Sequence, residues 1–315
     1  MALPDELAEL GREVSNWGRW GDGDERGTLN LIDADATRRG LATVRDGRHL
    51  SLAIPLDQTS PQQGGAPGRI APLRTMLAIN QTYTGQPGDA AFNDDTVVMA
   101  MSAGTHVDAL GHVTYDGKMY NGFPAEAVTA DGGATRCGAD KLTPICSRGV
   151  LLDLPAVKGV ERLEPGYAVT ADDLDAAVEH AGVTLQTGDV VLVRTGHLQL
   201  FHAGKTWDYN HDCPGLSTHT IRWIREHDLG AVFDDTYVFE VWPPQDWAAM
   251  MVVHMIHLRD MGQIQGQNFD LEALAADCAD DGRYEFCFWA APEPFTGGCS
   301  ARSARRHEVA VATAG

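Results

Sequence analysis

The sequence is short of positive charge. Against 44 Asp and Glu stand 24 Lys and Arg, a formal net charge of −20 at pH 7. Nucleic acids and anionic membrane surfaces are bound chiefly through Lys and Arg, so neither is an expected partner. The acidity speaks to solubility rather than to fold. Cysteine is sparse and unpatterned: the six, at 137, 146, 213, 278, 287 and 299, include no Cys-x-x-Cys pair. That argues against a structural zinc site or a disulfide framework, and for free thiols in a reducing compartment. No apolar run approaches the ~20 residues of a membrane-spanning helix, and the longest candidate, 248–256, is interrupted by His254. The opening stretch has neither a basic start nor an apolar core, so we expect no signal peptide and a cytoplasmic location. Familiar catalytic motifs are missing as well. Gly204-Lys205-Thr206 is not a phosphate-binding loop, because Gln199 stands where its first glycine belongs. Gly215-Leu216-Ser217 is not a nucleophile elbow, because His219 replaces the closing glycine; Ser217 is more simply a helix cap.

What remains is an ordinary globular composition, 315 residues with 43% hydrophobic and 34 Gly, long enough to bury a full core as one large domain or two small ones. A short helix is expected over 35–45, carrying Leu41 and Val44 inward and stopped by Gly47, followed by a strand over 49–56. Residues 58–71, rich in Gln, Pro and Gly, form a loop able to act as a lid. The apolar run 96–101 is expected to be a buried strand, and 115–135 mostly loop. Buried strands over 149–154, 189–194 and 229–233 alternate with helices. One helix opens on a capping box at Thr170-Ala-Asp-Asp173 and stops at Gly182, and another, over 219–227, is capped by Ser217. An apolar helix over 248–258, a capped helix over 270–278 and a strand over 284–289 follow. The tail, 301–315, holds Arg302, Arg305 and Arg306 and is expected to be exposed or partner-bound. Alternating helices and near-continuous apolar strands argue for an α/β architecture.

The chemistry concentrates in 99–113, where His106, Asp108 and His112 fall within seven positions. If the chain is extended from Ser102 to Asp108, the two-residue repeat puts Ser102, Gly104, His106 and Asp108 on one face. A neutral imidazole and a carboxylate pointing the same way suit a divalent metal. Gly104 lets the backbone approach an ion or substrate, and His112 is free to handle protons. The plainer alternative is that Asp108 only orients His106. Trp17 and Trp20, read from the residues alone, anchor a loop onto the core. His254 and His257, three apart on an expected helix, share a face, and for His257 a core role is preferred.

The segment Gly104-Thr105-His106-Val107-Asp108 with His112 resembles the signature of the cyclase family of metal-dependent hydrolases, which includes bacterial kynurenine formamidases, isatin hydrolase and lactone and cyclic-amide hydrolases. Ser102 stands where that signature has its first histidine. Asn16 to Gly21, Gly27-Thr28-Leu29-Asn30, Val193-Arg194-Thr195-Gly196, Pro214-Gly215-Leu216-Ser217, Asp234-Asp235 through Glu240, His254, 262–271 and 286–292 fall in the order of the longer members. The resemblance implies one domain over 1–315, with an N-terminal arm (1–30) and the C-terminal tail. Its fold would be a mixed central sheet or partly closed barrel flanked by helices, of the swivelling β/α/β type. It implies His254 as a metal ligand and, where members carry a glutamate, Gln267. With Ser102 and Gln267 at two ligand places, one divalent ion is expected rather than two, Mn²⁺ or Zn²⁺, on His106, Asp108, His254 and Gln267. His112 and Glu240 are the expected catalytic groups; Trp17, Trp20, Ser102 and His211 are expected at the substrate pocket. The implied activity is hydrolysis of a cyclic amide, lactone or aryl formamide by a homodimer or homotetramer acting on a small molecule. The alternatives are a metal-dependent lyase or cyclase, and a binding protein that has lost activity.

Overall fold

The computed structural model describes residues 3–45, 47–61, 68–302 and 308–311. Nine strands form one mixed sheet: β1 (Arg48–Ser51), β2 (His106–Asp108), β3 (Ile145–Asp153), β4 (Val190–Arg194), β5 (Ala231–Asp234), β6 (Ile264–Gln267), β7 (Glu285–Ala290), β8 (Ser300–Ala301) and β9 (Glu308–Val311). Their order is β1-β9-β7-β3-β4-β5-β6-β2-β8. The inner four, β3 to β6, run parallel, and antiparallel strands extend the sheet on both sides. The fold is thus α/β, with a curled mixed sheet flanked by helices.

The apolar runs are continuous because the sheet is covered on both faces. Successive side chains alternate between two cores: Leu151, Val190, Leu192 and Phe233 enter one, while Val150, Leu152, Val191, Val193 and Val232 enter the other. The helix Ala171–Ala181 closes the second core with Leu174 and Ala177, opening on the Thr170/Asp173 capping box and ending on Gly182 at φ +65°. Ser217 Oγ accepts from His219 N–H at 3.3 Å, the cap expected of it.

Several expectations are corrected. The first helix after the arm runs over Ala34–Ala42 and buries Ala36 and Gly40, leaving Leu41 54% and Val44 37% exposed. Close approach decides that face: a Cβ on Gly40 would stand 2.4 Å from the Ser147 carbonyl carbon. The run 96–101 is not a buried strand. Its first half ends the strand Ala91–Val98, which pairs only with Leu73–Thr82 in a separate hairpin, and Val97 and Val98 are 50% and 57% exposed. Hydrophobicity indicates a covered face, but among the described residues Val97 and Val98 of this hairpin stay half-exposed. The expected helix 248–258 is a short α-turn, Val252–His254, passing into a π-helix, Met255–Met261. Part of the tail joins the sheet as β8 and β9 rather than lying free; Arg305 and Arg306 fall outside the described residues, as do 62–67 of the expected lid. Among the described residues no helix is long and apolar enough to cross a membrane.

Candidate metal centre

Three neighbouring strands assemble the site. β2 lies between β6 and β8, with Gln267 opposite His106, Gly266 opposite Val107, and Ser300 opposite Asp108. Because side chains alternate along a strand, Val107 enters the core while His106 and Asp108 share the other face with Gln265, Gln267 and Ser300. Glycine at 266 permits this pairing, since a Cβ there would stand 2.4 Å from the His106 carbonyl oxygen. The extended run expected from 102 is shorter: only 106–108 is strand, preceded by a turn with Gly104 at φ +89°. The turn brings the Gly104 carbonyl within 2.8 Å of His106 Nδ1, a local bond that strand alternation does not reveal. Ser102 is nevertheless retained at the site through Ser300, Oγ to Oγ 3.1 Å.

Asp108 is the focus. Its Oδ2 accepts from Gln267 Nε2 at 2.8 Å and Gln265 Nε2 at 3.3 Å, and its Oδ1 from Ser300 Oγ at 3.4 Å. Three imidazoles approach the same carboxylate: His106 Nε2 at 3.5 Å, His254 Nε2 at 3.8 Å and His112 Nε2 at 3.9 Å. Burial works to raise the Asp108 carboxyl, but His112, His106 and His254 outweigh it and hold it down at about 2. Burial pushes His106 down to about 4 against the pull of Asp108. Burial also lowers His112, whose side chain is 24% exposed at the edge of the cluster.

The tautomers follow from the partners. His106 Nδ1–H donates to the Gly104 carbonyl, so Nε2 carries the lone pair, and that buried atom has no hydrogen-bond partner. His254 Nδ1–H donates to Glu240 at 2.7 Å, which turns its Nε2 lone pair toward Asp108 and Gln267. Glu240 also accepts from the backbone N–H groups of Val253 and His254, at 3.2 and 3.0 Å. It stands behind His254, as a positioning residue. The Gln267 amide donates to both Asp108 and His254 Nε2, the latter at 3.1 Å, so presenting its oxygen to a cation requires the amide to turn over.

Other expected residues lie elsewhere. Trp17 donates from Nε1 to the Arg259 carbonyl at 2.6 Å and lines a separate cavity with Tyr115, Arg259 and Asp260. Trp20 lies under the Arg19 guanidinium, 4.9 Å from ring centre to Cζ. His211 is exposed, bonded to Asp212 at 3.0 Å. His257 is fully buried, its Nδ1 on Gln265 Oε1 at 3.2 Å. Gln265, Ser300 and Arg69 were not anticipated. Gln265 could have been found by its two-residue spacing from Gln267; Ser300 and Arg69, whose charge acts on Asp108, His106 and His112, lie in stretches with no local pattern.

The donor chemistry fits a divalent cation: a deprotonated carboxylate faces the imidazoles of His106 and His254, whose Nδ1 atoms are already committed, and the buried Nε2 of His106 has no partner. Among the described residues no three His, Cys, Asp or Glu side chains are arranged as a finished cage. To hold an ion, these donors would have to be drawn together.

A family model described as "Putative cyclase" matches residues 50–241. No curated protein matches the chain. Among solved structures, a novel cyclase is 34% identical over 95% of this chain and 99% of its own, with a TM-score of 0.84. Isatin hydrolase A from Labrenzia aggregata, bound to benzyl benzoate, is 16% identical, with a TM-score of 0.61 over 83% of this chain and 93% of its own. An isatin hydrolase bound to the product analogue thioisatinate is 14% identical, with a TM-score of 0.61 over 88% and 98%. At such identities the two hydrolases share the fold.

Proposed function

The chain belongs to the cyclase family, and from that premise we propose that it is a metal-dependent hydrolase that opens a cyclic amide or lactone or cleaves an aryl formamide. The observation that carries this reading is the orphaned, buried Nε2 of His106 beside a carboxylate held ionised. His106, Asp108 and His254 would hold one divalent cation, Mn²⁺ or Zn²⁺, with Gln267 once its amide has turned. Such an ion, when bound, supplies a Lewis acid for the substrate carbonyl and lowers the pKa of water.

The protein's own residues do the rest. His112, at the edge of the cluster, takes a proton from the attacking water at Nε2 and returns it to the departing nitrogen or oxygen. Ser102 and Ser300 offer hydroxyls to orient the substrate. Arg69 adds a positive charge that favours the oxyanion. Glu240 fixes the ring and tautomer of His254. The free cysteines suit a reducing cytoplasm. The half-exposed hairpin suits a homo-oligomer, and a monomeric mass by light scattering would remove that part of the reading.

The test joins elemental analysis to a ring-opening assay in H₂¹⁸O. We expect one ion per chain and labelled oxygen in the acid product, with both the ion and turnover lost in His106→Ala. Turnover without label would indicate a lyase or cyclase. The Gln267 amide already satisfies both Asp108 and His254, which favours a second reading, a binding protein that has lost activity. A chain that takes up no ion on dialysis would decide for it.

A further inference from the structure

Positive charge is scarce in this chain, yet four of its 24 Lys and Arg line a single cavity of about 270 Å³, together with Ala42, Thr43, Gln186 and Glu285. The walls come from the end of the helix Ala34–Ala42 (Arg39), the residues after it (Arg45), β3 (Arg148) and the approach to β7 (Arg283). Arg148 is spent on local partners. It donates to Asp189 at 3.2 and 2.5 Å, to Glu285 at 3.0 Å and to the Thr184 carbonyl at 2.7 Å. The other three make no hydrogen bond or ion pair to a carboxylate among the described residues, although Arg39 acts on Asp33 from a distance. Arg39 donates from Nη2 to the Thr187 carbonyl at 2.6 Å, while its Nε is shut off from water with no acceptor. Among the described residues the side chains of Arg45 and Arg283 have no hydrogen-bond or ion-pair partner. Four guanidinium groups thus share two directly bonded carboxylates, Glu285 at the rim and the buried Asp189 beneath it, both held by Arg148, with Asp33 acting on Arg39 from further off.

Guanidinium groups converging on one concavity repel one another, and an anion that bridges them relieves the repulsion. The planar guanidinium fork matches phosphate oxygens two at a time. The cavity falls below the ~300–1,000 Å³ of typical small-molecule sites, so the ligand is compact. We propose that this pocket binds a small polyanion carrying phosphate groups, of pyrophosphate size. The site is independent of the metal centre: β3 and β2 are four strands apart in the sheet, on the order of 20 Å at ~4.8 Å per strand.

The experiment is calorimetric titration of the full chain, stripped of metal with a chelator that is then removed, with inorganic pyrophosphate at constant ionic strength. Sulfate serves as the comparison anion. Arg45→Gln/Arg283→Gln is the test variant; Arg148 is left alone because removing it would strand Asp189. Arg74→Gln, whose guanidinium lies 3.7 Å from Asp95 on the hairpin, is the control. We expect saturable binding at one site per chain, tighter for pyrophosphate than for sulfate, weakened at least tenfold in the double variant and unchanged in the control. Absence of saturable heat, an equal response to sulfate, or undiminished affinity in a folded double variant overturns the proposal.

Discussion

At the scale of single residues, the site is a chain of fixed tautomers. Glu240 accepts two backbone N–H groups and one imidazole N–H, and a carboxylate so placed both orients His254 and strengthens it as a donor. In Glu240→Gln the amide oxygen can still accept, but the negative charge is gone. We expect a roughly 10–100-fold loss of metal affinity or turnover with the fold intact; circular dichroism beside a metal titration checks it, and unchanged affinity would leave Glu240 as a helix cap alone. The pair at 106 and 108 was legible because alternation along a strand is a local rule. The role of Glu240 was not, because it depends on a contact fourteen residues away that only the loop geometry makes. Gln267 shows the same limit: its place came from resemblance, but which end of the amide faces Asp108 is settled by neighbours on another strand.

At the scale of elements, the site requires β6 and β2 to lie unusually close. Gly266 faces the His106 carbonyl and also has Phe233 and Phe269 side-chain atoms within 2.9 and 3.1 Å of where a Cβ would stand. Gly266→Ala must push the strands apart or distort the core, at about 1–3 kcal/mol of stability. Because Gln265 and Gln267 reach Asp108 from either side of that residue, activity should fall by more than the loss of stability explains. Urea unfolding paired with assays well below the unfolding midpoint separates the two effects, and full activity in a folded variant would show that the register tolerates a shift. The helix 171–181 and strands β3 to β5 were legible because their signals, a capping box and two-sided apolar runs, are local and mutually consistent. The hairpin was misread for a physical reason: an apolar run indicates that something covers it, without indicating whether the cover belongs to the same chain.

At the scale of the whole molecule, the fold stores uncharged imidazoles. Burial pushes His197 down to about 4, opposed only weakly by its hydrogen bond to the Tyr209 carbonyl, and pushes His257 down to about 3. Both are fully inaccessible. In the unfolded chain such groups titrate near ~6.5, so below that pH the unfolded state binds protons that the folded state refuses. Stability must then rise with pH across the interval from the folded to the unfolded value. For His197 the contribution is intact above ~6.5, is lost as pH falls toward 4, and amounts to roughly 3 kcal/mol from the 1.36 kcal/mol per unit rule. His197 is not one of the side chains that approach Asp108, and its ring rests on Tyr209, which bonds to Asn268 beside Gln267; the comparison is therefore made on chelator-treated protein, so that ion binding does not enter. His197→Gln keeps a donor for the Tyr209 carbonyl but cannot be protonated. We therefore expect unfolding free energy of the native chain to drop between pH 7 and 4.5 more steeply than that of the variant, even where the variant is the less stable of the two at pH 7. Parallel pH dependences in denaturant titrations would mean that His197 accepts a proton without leaving its pocket, and that the acid sensitivity lies in the carboxylates instead.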